Sequence, residues 1–146
     1  LAVFSVHQYL GLIAAAVVML HWLWMPFDRQ HLFSHLFPWG EEGRRGIVDD
    51  LRTLTRWQLP GSDDRGGLAG LVHGLGLLTA TGAGLTGVLV YLLAGSNPAP
   101  ALLFYLVVQL HSLCGNLIWG YLAGHVLLAV VHHLIGQPTL KRMFSL

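Results

Sequence analysis

The stretch ALLFYLVVQLHSLCGNLIWGYLAGHVLLAVVHHLIG, residues 101–136, decides how the whole chain is read. It contains no Asp, Glu, Lys or Arg, and about 20 apolar residues are enough to cross a bilayer as a helix. A run this long must tilt, project beyond the lipid, or begin with a separate short helix; a break near Gln109 is expected. His111 and His125 lie fourteen residues apart within it. That is about 21 Å of helix and close to four whole turns, so both imidazoles leave one face at two depths. Gly115 follows His111 by one turn.

The first apolar run, about residues 2–25, repeats the arrangement. His7 and His21 are again fourteen apart, and Gly11 stands to His7 as Gly115 stands to His111. Between these runs, residues 67–94 form another apolar stretch, rich in Gly67, Gly70, Gly74, Gly76, Gly82, Gly84 and Gly87. Small residues let neighbouring helices, or the edge of a flat cofactor, approach the backbone. The expected fold class is all-α: a transmembrane helical bundle of three spans in a single domain, 1–146, with a short interfacial helix.

Composition agrees. The chain is 54% hydrophobic and 10% charged, against about 25% charged in ordinary soluble domains. Mean hydropathy is +0.60. The net charge of +1 says little about partners, but there is no basic tract of the kind nucleic-acid binding needs, so no nucleic acid is expected; the lipid bilayer is the expected partner. Cys114 is the only cysteine, which excludes an internal disulfide, a Cys-x-x-Cys-His haem attachment and a thiolate-held iron–sulfur cluster within this chain.

Residues 26–66 differ sharply from the rest. All seven acidic residues and six of the eight basic ones lie there. Phe37-Pro38-Trp39-Gly40 and Pro60-Gly61-Ser62 read as turns. Ile47, Leu51 and Leu54 recur at helical spacing between Gly46 and Trp57, as in a helix lying on a membrane surface. Trp22, Trp24 and Phe27 suit the membrane–water boundary. The two remaining basic residues, Lys141 and Arg142, follow the third span. Three spans put residues 26–66 and the C-terminus on one side, and the positive-inside rule makes that side cytoplasmic.

With one span between them, the first and third spans run in the same direction. His7 then lies level with His111, and His21 with His125. Neutral imidazole suits haem iron, and two axial imidazoles leave no open position for oxygen. The expected arrangement is two b haems without covalent links, one between His7 and His111 and one between His21 and His125. Gly11 and Gly115 are where a porphyrin would lie against backbone; helix packing is the other use for them. Arg45, Arg52 or Arg56 could hold propionates, or be solvated charge. His73 reads as a packing group, with ligation or a quinone site as its sharper use. His132 and His133 read as an interfacial cap or as contacts to propionates or quinone, and His31 and His35 as surface residues. The spans hold no carboxylate, which argues against a metal-ion path through a cofactor-free membrane anchor.

The third span, from Leu110-His111 through Gly124-His125 to His132-His133 and then Leu140-Lys141-Arg142-Met143, resembles the last helix of the bacterial cytochrome b561 and Ni/Fe-hydrogenase b-type cytochrome superfamily. Residues 67–93 resemble the helix before it, and Val6-His7 to Gly11 the one before that. The family is typically a four-span di-haem protein whose first span supplies the fourth ligand. Here either that span lies upstream of Leu1 or His21 fills the role. The resemblance implies electron transfer between a quinone pool and redox partner subunits in the bacterial inner membrane, with quinone a further ligand. The alternative it offers is a free-standing quinone-reactive oxidoreductase of the superoxide-oxidase type.

Overall fold

A computed structural model of the chain describes residues 2–27, 32–56, 58, 67–96 and 101–134, the side chains of Leu32, His132 and His133 excepted. Among these residues every regular element is helical. Helix α1 covers Ala2–Trp24 and closes in a 3-10 turn, Met25–Phe27; α2 is Leu32–Leu36, α3 Glu41–Thr55, α4 Gly67–Ala94 and α5 Ala101–Leu134. Three stretches are long and apolar enough to cross a membrane: Ala2–Phe27, Gly67–Ala94 and Ala101–Val131.

The spans are helical because lipid offers backbone groups no partner, and a helix satisfies its own. Almost nothing in them is buried by protein. The buried apolar side chains are Met25, Leu36, Phe37, Val107 and Cys114, whereas Leu10, Leu20, Leu85, Leu92, Leu106 and Trp119 are open on the surface. Such a surface would be untenable in water and is what a bilayer covers.

Two expectations are corrected. Helix α5 is one helix of 34 residues with no break at Gln109; no proline interrupts the run, and the exposed Gln109 side chain leaves the backbone ladder intact. Its length is about 51 Å, well beyond a hydrocarbon core of about 30 Å. Helix α3 begins at Glu41 and not at Gly46. Glu41 and Glu42 sit in its first turn and Arg52 in its last, which suits the helix dipole at both ends. Gly43 and Gly46 weaken the sequence signal, but both are close approaches. A Cβ on Gly43 would strike Pro38, and one on Gly46 would stand 3.3 Å from the Gly67 Cα. The turn at Pro60, residues 97–100 between α4 and α5, His31, Lys141 and Arg142 lie outside the described residues.

The chain divides into two compact units, Leu1–Asp28 with Gly76–Trp119, and Arg29–Leu75 with Gly120–Leu146. In the first, α4 receives its neighbours on bare backbone. A Cβ on Gly82 would lie 3.2 Å from Cys114 Sγ of α5, and one on Gly84 3.2 Å from Ala15 Cβ of α1. The Trp22 indole of α1 donates to Thr81 Oγ1 of α4 at 2.8 Å, which satisfies a donor that lipid could not. In the second unit, α2 lies across the start of α4. A Cβ on Gly70 would strike the His35 carbonyl, and one on Gly74 the Leu36 carbonyl.

Candidate metal centre

In the first unit, α1 and α5 bring His7 and His111 together. Their ring centroids are 6.0 Å apart and the planes cross at 71°. His111 Nδ1 lies 3.1 Å from the Ala83 carbonyl oxygen and 3.1 Å from Thr86 Oγ1, both on α4. A carbonyl oxygen only accepts, so Nδ1 carries the proton and donates. The lone pair of the neutral ring then sits on Nε2, the nitrogen a metal would take. Gly11 and Gly115, one turn along from each imidazole, have no neighbouring atom within 4 Å of a Cβ position. The surface beside both histidines is therefore open backbone.

In the second unit, His125 of α5 meets His73 of α4, with ring centroids 5.2 Å apart and planes crossing at 79°. Tyr121 stacks on the same imidazole at 5.6 Å and 18°. His73 Nδ1 is 2.7 Å from the Ala69 carbonyl oxygen, one turn back. By the same reasoning its free lone pair is on Nε2. Gly124, next to His125, is open as well. His21 lies in the last turn of α1, half-buried and beside Trp22; it belongs to the first unit and His125 to the second.

Arg45 and Arg52 are exposed on α3. Arg45 pairs with Glu41 at 2.5 Å and Arg52 with Asp49 at 3.2 Å. Pairs this exposed contribute little, about 0–1 kcal/mol, and leave the guanidinium free to exchange partners. The described residues contain no group of three or more His, Cys, Asp or Glu side chains able to hold a metal ion.

The family model for prokaryotic cytochrome b561 matches residues 1–146, the full length given. The chain belongs to that family. Membership makes it a multi-pass membrane protein of electron transport that binds haem b. No curated protein and no solved structure matches it.

The residues present fit the group a cytochrome b561 carries. An imidazole nitrogen binds a first-row metal at about 2 Å, so two imidazoles facing each other across one metal have centroids about 6 Å apart. The His7–His111 pair meets that value, and the His73–His125 pair is slightly closer. Each pair would hold haem iron through its two imidazoles, with open backbone at Gly11 and Gly115 beside the first and at Gly124 beside the second. His73 and Thr86 are the polar groups whose place the sequence did not reveal. Each is a single polar residue in an apolar helix, and only the fold supplies its partner.

Proposed function

We propose that this chain carries electrons across the bacterial inner membrane through two b haems, between a quinone pool and a redox partner subunit. The observation that supports it best is the His7–His111 pair, with ring centroids 6.0 Å apart and His111 Nδ1 already bonded to α4. When bound, a haem held by two of these imidazoles would supply reversible one-electron chemistry. The chain's own part is to present paired imidazoles, keep His111 and His73 in the tautomer that leaves Nε2 free, and exclude water with apolar helices. Arg45 and Arg52 would hold propionates by giving up their surface partners. The loop 26–66 and the C-terminus face the cytoplasm.

The second haem would rest on His125. Helical spacing favours His21 as the opposite ligand; the edge-on contact of the rings at 5.2 Å favours His73. Haem content per chain, read by pyridine haemochrome, is expected to be two. His125→Ala should remove one low-spin centre and spare the other; both centres surviving would overturn the assignment. Loss of that same centre in His21→Ala or in His73→Ala identifies the partner.

A further inference from the structure

Resting on the reading of His111 as an iron ligand, we propose that Ala83, Thr86 and Gly87 of α4 form a seat that sets the tautomer and the electron-donating strength of this imidazole, with Thr86 as the positioning residue. Thr86 is 6% exposed, the more deeply buried of the two buried polar residues among those described. Its Oγ1 lies 2.6 Å from the Gly82 carbonyl and 3.2 Å from that of Ala83. The hydroxyl proton therefore goes to a carbonyl, and the oxygen's lone pair faces His111 Nδ1 at 3.1 Å. With the Ala83 carbonyl also at 3.1 Å, one N–H is shared by two acceptors, and neither can offer a proton back. Gly87 completes the seat by omission: a Cβ there would come within 3.1 Å of His111 Cε1 and 3.5 Å of Nδ1.

The chemistry follows from the direction of these bonds. An imidazole that donates from Nδ1 gains basicity at Nε2 and is held in one plane. A more basic ligand favours the oxidised, more positive iron, so the seat lowers the midpoint potential of the centre on His111. The neighbouring span thus tunes a ligand it does not itself supply.

The test uses the haem-loaded chain and reads potential and spectrum, not activity. Thr86→Val removes the hydroxyl at nearly constant volume. It should raise the midpoint of one centre, changing the ratio of reduced to oxidised haem at the wild-type midpoint by about fivefold. Thr86→Ser should restore the wild-type value, and the other centre should not move. Gly87→Ala should tilt the ring and shift the low-spin electron paramagnetic resonance signal of the same centre. A Thr86→Val chain that loses one haem where Thr86→Ser keeps two supports the seat equally. Unchanged potentials and signals in both Thr86→Val and Gly87→Ala would overturn it, as would equal shifts of both centres or failure of Thr86→Ser to restore. His111→Ala separates the two ideas. If both centres survive it, the ligand reading is wrong; if one is lost while Thr86→Val and Gly87→Ala both change nothing, only the seat is wrong.

Discussion

The carboxylate of Asp50, on α3, accepts the Leu68 N–H in the first turn of α4 at 2.8 Å and is only 9% exposed. The first N–H groups of a helix lack partners within it, so one helix here caps another. Gly67, where the chain turns, has φ +60, and the Asp50 carboxylate occupies the place a Cβ would need. Asp50→Ala should cost about 1–2 kcal/mol of stability; Asp50→Asn, which keeps an acceptor oxygen, should cost less. Thermal unfolding of the haem-loaded protein in detergent would measure both. This role was not legible in the sequence. Asp49 and Asp50 are adjacent and chemically identical, yet Asp49 pairs with Arg52 on the surface while Asp50 turns inward. The histidines stand out in the sequence, since polar groups are costly inside lipid and their spacing is regular. The contact of His73 with His125 was not legible because His73 has no counterpart fourteen residues away, and that of Thr86 with His111 because a hydroxyl can always bond back to its own helix.

At the scale of elements, the glycines of α4 divide by what they touch. Gly70 and Gly74, one turn apart, take the carbonyl end of α2 directly against the backbone. Gly74→Ala must push that segment away and should destabilise by about 1–3 kcal/mol. Gly40 is the opposite case. It caps α3 with extended backbone, φ −66 and ψ 166, makes no side-chain cap bond, and has nothing within 4 Å of a Cβ position. Gly40→Ser should therefore stabilise by a few tenths of a kcal/mol, read as a higher melting temperature in the same assay. The sequence marked residues 67–94 as a span suited to close approach. It could not say which glycine meets which neighbour, because apolar residues run all the way round the helix.

For the molecule as a whole, composition was enough to define three spans within a few residues of their observed ends. The helix bounds failed where length or glycine content misled: α5 continues through Gln109, α3 starts early, and the five-residue α2 carries no pattern of its own. The proposed orientation can be tested through the lone cysteine. Cys114 is buried, so a cysteine added elsewhere is the main target for a membrane-impermeant maleimide. In intact spheroplasts Ser96→Cys should label and Gln58→Cys should not, and permeabilised cells should label both. The reverse pattern would invert the topology.

The two sides of α4 obey different constraints. Leu78, Leu85, Leu89 and Leu92 stand outward, 45–60% exposed, while Gly82, Gly84, Thr86 and Gly87 meet Cys114, Ala15 and the His111 imidazole. Outward positions need only be greasy, so Ile, Val, Phe or Met should serve as well as Leu. On the inward side a single added methyl obliges the neighbour it meets to give way by a few tenths of an ångström. In a saturation library scored by haem incorporation, tolerance along this span should therefore fall in a helical stripe, permissive toward lipid and nearly monomorphic toward α1 and α5.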